Sequence, residues 1–441
     1  MAEQMKPSGI DWIGDVPANW YMIKLKYFSY LKGRIGWQGL TADEFIDEGP
    51  YLITGTDFEN GKIQFDRSYH ISDERYNQAP EIQLKVGDLL VTKDGTVGKM
   101  AYVDMLPGKA SLNSHLLLIR PLENKFDNRF LFWLMSSSVF SGYTEYAQDG
   151  TVMASLSQEK IGNFIAYFPE ITEQQAIADF LDKECAQIDS IAADLEKQIE
   201  LLQQYKKSLI TEAVTKGLDK SVPMKDSGVE WLGKIPAHWD VKRFKDECSK
   251  IGDIDHYMPD SADEGIPYIM TGDFIGDENN IDFVNCKRIS REDYIRLSKK
   301  MKPMYGDILL ARYATIGTVR IVDIHEEFLV SYACAIIRIK ESSYSKYIYY
   351  YLKSDTYFEE ISQYIKTNTQ ANVGIDSIGR AKVPVPPIEE QEEISEFLDK
   401  KCHEINLVLR DKQKQLLTIQ QHKNSLIYEY VTGKKRVKEV Q

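Results

Sequence analysis

Hydrophobic positions along this chain follow two rhythms, and each rhythm occurs twice. For about 160 residues in each half, apolar and β-branched residues come in short runs, as in GDILLARY (306–313) and ACAIIRIK (333–340). Such runs between turn formers predict strands. Interleaved aromatic-rich stretches, NRFLFWLMSSSVFSGY (128–143) and SKYIYYYLKSDTYFEEI (345–361), predict helices. Each mixed region closes on proline, in YFPEIT (167–172) and VPVPPIEEQ (383–391). Proline stops a strand there, and the acidic residues that follow suit a helix N-terminus.

The second rhythm is helical and long. From Glu173 to Lys216 the chain has neither proline nor glycine. Leu181, Ile188, Leu195, Leu202 and Leu209 recur every seven residues, with Ile177, Ile191, Ile199 and Ala213 nearby. Leu398, Ile405, Ile419 and Leu426 hold the matching places in the second half, with Leu409 and Leu416 beside them, while Lys412 stands where the first half has Leu195. A sustained heptad stripe of this kind predicts helix pairing. At 1.5 Å per residue it makes a rod of roughly 65 Å. The stripe has two candidate partners, the adjacent globular region or the other long helix. It is too long for one small domain to cover, so the reading favoured is that the two helices pack on each other.

Repetition extends through the whole chain. SGIDWIGDVPANW (8–20) returns as SGVEWLGKIPAHW (227–239), PYLITGTDF (50–58) as PYIMTGDF (267–274), and GDLLVTKDGTVG (87–98) as GDILLARYATIG (306–317). ITEQQAIADFLDKECAQID (171–189) returns as IEEQEEISEFLDKKCHEIN (388–406), in the same order. A period above 200 residues is too long for a solenoid and marks duplicated domains. The expected fold class is α+β: two similar mixed α/β units, each followed by a long α-helix, the helices forming an antiparallel coiled-coil spacer with pseudo-twofold symmetry. The expected segments are a first head (1–168), its helix (169–217), a second head (218–384), its helix (385–435) and a short tail (436–441). Trp12, Ile13 and Trp20 of the opening stretch are expected to pack the start of the head against the helices. A pseudo-twofold object suits a ligand with its own dyad, and duplex DNA is the obvious candidate.

Composition narrows the chemistry. The chain has 441 residues, 43% of them hydrophobic and 27% charged, as in ordinary globular proteins. No apolar run approaches the roughly 20 residues of a membrane span, and no signal-peptide core opens the chain. Its five cysteines are scattered, which argues against disulfides and thiolate zinc sites and for a reducing, cytoplasmic setting. A net charge of −13 weighs against nucleic-acid binding, although the location of charge matters more than its sum. Nucleotide-binding loops, HExxH pairs and nucleophile triads are missing. GTVGKM (95–100) has the wrong spacing for a phosphate loop, and Asp104, Glu123 and Lys125 form only a loose D…ExK arrangement. The expectation is no catalytic residue and no metal site.

Recognition remains. Each GD-(L/I)-L run leads into a hydrophilic loop, and residues at a strand tip are placed to meet phosphates or base edges. The candidates are Lys93, Thr96 and Lys99 in one half, and Arg312, Tyr313 and Arg320 in the other. Thr54, Asp57, Thr271 and Asp273 join them from the TG…D segments. The stretch KRISREDYIRLSKKMK (287–302) adds seven basic residues against two acidic ones.

These motifs, duplicated in order, resemble the specificity subunit of type I restriction-modification systems over essentially the whole chain. SGVEWLGKIPAHW and PPIEEQEEISEFLDKK carry the resemblance. It implies that the globular heads are target recognition domains, each reading half of a split, asymmetric site in double-stranded DNA. The helices would set the spacing and dock two modification subunits, with restriction subunits as further partners. S-adenosylmethionine, ATP and magnesium would be bound by those partners and not by this chain, which would itself be non-catalytic. A coiled-coil scaffold with two protein-binding heads would share the architecture and stays open as the alternative.

Overall fold

The computed structural model describes residues 4–33, 40–146, 156–366 and 371–437. The chain folds as two compact units, residues 1–195 with 414–441, and residues 196–413. The order of elements along the chain suggests a cut between heads and helices. Packing instead divides each long helix between the units. Each unit therefore holds one head, part of the helix that follows it, and part of the other helix.

In the first head a four-stranded sheet runs in the order Met100–Tyr102, Leu89–Thr92, Leu116–Pro121, Ser29–Gly33, all antiparallel. Side chains alternate between its faces. Leu89, Val91, Leu117 and Ile119 point into a core shared with the helices, while Leu90, Leu116 and Leu118 point into a second core. Covered on both faces, these strands read as continuous apolar runs. A three-stranded sheet, Ala110–Leu112, Ile46–Ile53 and Tyr69–His70, includes one parallel pairing. The second head repeats the plan with Cys248–Gly252, Cys334–Ile339, Ile308–Ala311 and Val319–Ile321 in its larger sheet. Ile308, Leu310, Ala335 and Ile337 face one core there, and Leu309, Ala311, Cys334 and Ile336 the other.

The aspartate of each GD pair is structural. Asp88 caps a turn by accepting from Lys85 N at 2.7 Å and takes both arms of the Arg120 guanidinium at 2.7 Å. Asp307 does the same with Met304 N and Arg338. The two stretches expected as single helices are each broken in the middle, into Asn128–Met135 and Ser138–Tyr146, and into Ser345–Leu352 and Asp355–Ser362. Serine makes the breaks. The Ser137 hydroxyl accepts from Val139 N and that of Ser354 from Tyr357 N, which starts a new helix where continuation was possible.

The long helices run Ile171–Lys216 and Ile388–Val431. In the first unit Phe180 meets Tyr430 at 4.4 Å, Lys423 meets Asp189 at 2.5 Å, and Glu173 pairs with Arg436, so the helices are antiparallel there. In the second unit Lys206 bonds Asn406 at 2.8 Å, and Ile210, Ala213 and Val214 share a core with Ile394, Leu398 and Cys402. Leu181, Leu195, Leu398 and Ile405 are buried, and Ile188, Leu202, Leu209, Ile419 and Leu426 half-buried, whereas Ile191 is turned outward. Spacings of three and four bring Lys206 and Lys423 into the same stripe, where Lys206 is 4% exposed.

The Glu-Gln pair that opens each helix fastens the head. Gln174 accepts from Asp127 N and donates to Pro169 O, and Gln391 does likewise with Tyr344 N and Pro386 O. Trp20 and Trp239, the last residues of the opening stretches, are buried against the helix ends. Gly433 lies against Pro17 and Trp20, and Gly217 against Pro236 and Trp239, both at positive φ. A Cβ on Gly433 would come within 2.4 Å of Pro17.

Candidate nucleic-acid interface

Both interface candidates sit where the larger sheet turns back on itself. In the first head the hairpin loop spans residues 93–99. Its base is stapled by Thr92, whose hydroxyl donates to Thr96 O and accepts from Lys99 N at 2.9 Å. Lys93 N donates to His115 O at 2.8 Å, which lays the 113–115 turn alongside. Lys99 Nζ reaches Gly55 O at 3.4 Å, and Gly55 packs so closely on Thr92 that a Cβ there would meet it at 2.8 Å. Lys93, Thr96, Lys99 and Thr54 thus share one end of the head. Thr96 is exposed and the other three half-exposed. His115, 3.5 Å from Asp94, belongs to the same cluster. Asp57 does not. It is 2% exposed, accepts Thr54 N at 2.7 Å, and closes a one-turn 3-10 helix. Burial pushes its carboxyl above the usual carboxylate range, more than its hydrogen bonds offset.

In the second head the loop spans 312–318, and its chemistry is aromatic. Tyr313 meets Tyr332 edge-on at 6.2 Å, and His256 stacks on Tyr332 at 4.5 Å. The Tyr257 ring carries the Arg296 guanidinium at 4.0 Å. The Tyr313 and Tyr332 hydroxyls make no hydrogen bond to a described residue, leaving donors and acceptors for a ligand. Ala314, where the first copy has Gly95, holds a left-handed φ of 53°. For a residue with a Cβ that costs about 1–2 kcal/mol.

Two arginines expected at this surface point inward. Arg312 is 5% exposed, pairs with Asp253 and donates to Tyr332 O at 3.1 Å, so it supports the tyrosines from behind. Arg320 is 1% exposed. Its guanidinium donates to Asn280 O, Val319 O, Ile275 O and Gly276 O at 2.6 to 3.1 Å and has no face left for a phosphate. Asp273 caps its own turn by accepting Met270 N at 2.7 Å, and Thr271, half-exposed, opens that turn. Three of the seven basic residues in the stretch 287–302 are ion-paired in place. Arg291 pairs with Glu327, Arg296 with Asp293 and Lys300 with Asp253, while Lys287 and Arg288 donate to backbone carbonyls. Lys299 and Lys302 keep exposed charges without an ion pair among the described residues.

His115, His256, Tyr257 and Tyr332 were not singled out in the sequence. The signal was present in the paired segments LNSH (112–115) and VSYA (330–333), each just before a core strand. Among the described residues no cluster of three histidine, cysteine, aspartate or glutamate side chains is placed to hold a metal, and no helix is long and apolar enough to cross a membrane.

Two heads built on one scaffold, with loop tips of different chemistry and a helix pair attached, define a bipartite recognition protein. The model for the type I restriction modification DNA specificity domain matches twice, over residues 28–201 and 236–417, and the chain belongs to that family. It is similar to the type I restriction enzyme MjaVIII specificity subunit of Methanocaldococcus jannaschii, with 24% identity over 96% of this chain and 94% of the relative. It is also similar to the EcoBI specificity subunit of Escherichia coli, with 25% identity over 70% of this chain and 65% of the relative. A solved chain from a study of complex assembly and conformational transition of the type I R-M system shares the fold, with TM-score 0.61 and 16% identity over 95% of this chain and 99% of that one. The function is that of a type I restriction-modification DNA specificity subunit, the recognition component and not the catalyst, which implies DNA and partner subunits.

Proposed function

We propose that this chain directs a methylating complex to a split DNA site, the first head reading one half with Lys93, Thr96, Lys99 and Thr54 and the second reading the other with Tyr313, Tyr332 and His256. The observation that carries this reading is the contrast between the tips. The sheets beneath them share strand order and pairing, yet one tip offers ammonium and hydroxyl groups and the other stacked rings. Loops that diverge on a duplicated scaffold are what two unlike half-sites require. Two modification subunits dock on the helices, which turn Ile191, Leu201, Tyr205, Leu407, Val408 and Leu417 toward solvent on otherwise polar surfaces. Those subunits bind S-adenosylmethionine and methylate adenine; restriction subunits bring ATP and magnesium. The complex works in the cytoplasm.

Mapping methylated adenines on genomic DNA, with the chain present or absent beside its modification partner, tests this. The expected result is a bipartite sequence methylated only when both are present, and a Tyr332→Ala change that relaxes one half-site alone. A scaffold would give no sequence-specific methylation with any partner, and methylation by the chain alone would also refute the reading.

A further inference from the structure

The two heads are fastened to the helices differently. One fastening is common to both. Asp182 accepts from Arg129 and from Trp133 Nε1 at 2.7 Å, and Asp399 accepts from Lys346 at 2.6 Å and from the Tyr350 hydroxyl at 2.7 Å. The second head has another. The first head turns from Phe58–Glu59 to Lys62–Ile63 through two residues, Asn60 and Gly61, while the second turns from Phe274–Ile275 to Asn280–Ile281 through four. The longer turn carries Asp277 and Glu278 onto the helices. Asp277 meets Lys206 of the first long helix at 2.7 Å, and Glu278 meets Arg410 of the second at 2.5 Å.

Lys206 is the key to the comparison. It and Lys423 hold equivalent places in the helical stripe, but Lys206 is buried and Lys423 half-exposed, and a buried ammonium without an acceptor is costly. Lys423 finds a carboxylate on the facing helix, Asp189 at 2.5 Å. The residue equivalent to Asp189 in the second unit is the neutral Asn406, which supplies only an amide oxygen at 2.8 Å. The missing charge comes from the head, as Asp277. One lysine is paired within the helix pair and the other by a carboxylate of the head, Asp277, which also meets Lys353 of that head at 3.4 Å.

We propose that Asp277, with Glu278, is a positioning element that fixes the attitude of the second head on its helices and thereby the length of the gap accepted between the half-sites. This rests on the reading that each head contacts one half-site. The test maps methylated sites made by the complete complex carrying Asp277→Asn with Glu278→Gln. Both half-site sequences are expected to stay unchanged, while sites with a gap one base pair longer or shorter become methylated at least tenfold above the wild-type level. Adding Asn406→Asp rebuilds the pairing of the first unit around Lys206. It is expected to restore the melting temperature but not the gap fidelity. An unchanged gap, an altered half-site sequence, or gap fidelity recovered by Asn406→Asp overturns the proposal. Absence of any sequence-specific methylation by the wild-type complex would instead refute the underlying reading.

Discussion

Replacing Arg320 with alanine should unfold the second unit more readily and leave the sequence it selects untouched. The guanidinium satisfies four carbonyl oxygens, those of Ile275, Gly276, Asn280 and Val319, and sits over the Phe274 ring at 5.3 Å. A buried acceptor left unpaired costs about 1–3 kcal/mol, so four set a ceiling of about 4–12. Gly276 and Asn280 lie at the surface, and water entering the truncated site can answer part of that demand. With water answering the carbonyls nearest the surface, about 3–5 kcal/mol of that ceiling is expected here. In a unit of this size each kcal/mol lowers the midpoint by roughly 2–4 °C, which gives a fall of about 6–20 °C. Scanning calorimetry on the purified chain reads the shift, and methylation mapping below the new midpoint reads specificity. A variant that melts within 2 °C or so of wild type yet alters one half-site would refute the reasoning and return Arg320 to the DNA surface.

Three further outcomes follow from the duplicated scaffold and its thiols. Trp239 Nε1 donates to Glu390 at 3.0 Å, whereas the buried Trp20 Nε1 has no partner among the described residues; Trp239→Phe should therefore cost about 1–3 kcal/mol more than Trp20→Phe by denaturant unfolding, and the opposite order would contradict it. Burial pushes the Cys248 and Cys334 thiols up to about 12 and Cys185 up to about 11, so the native chain should resist iodoacetamide at pH 8 until it is unfolded. Above about pH 9 the unfolded thiols release protons that the folded ones keep, so stability should fall from there toward pH 12, and less steeply in a Cys248→Ala, Cys334→Ala variant.

The repeat, the helix stripe and the core strands were legible because each follows a period that burial imposes. Leu89 and Leu90 serve different cores, and the run containing them is apolar for that reason. Lys206 and Lys423 were hidden because a lysine interrupts an apolar pattern and sequence alone does not say whether it lies beside the seam or in it. Arg312 and Arg320 stood at hairpin ends, the right place for a contact, but position along a strand leaves open which way a long side chain turns. Short acidic residues such as Asp57 and Asp273 sit after turns because they cap them, and a cap and a contact look alike in sequence. Of the aromatic tip of the second head, Tyr313 is legible at its hairpin, and the rest is not. His256, Tyr313 and Tyr332 come from three separate segments and become neighbours only when folded.

The division of the chain has a consequence for its biosynthesis. The second unit is one continuous stretch, while the first takes Ile427 and Val431 into its core from the second long helix. Synthesis runs from the N-terminus, so the first head made is the last unit completed. A ribosome that stops before residue 427 releases a chain with Ile177, Ala178 and Leu181 lacking those partners, an apolar stripe of the kind chaperones and proteases act on. Completion of the first unit therefore waits for residues 427–431, which are translated after the whole of the second unit.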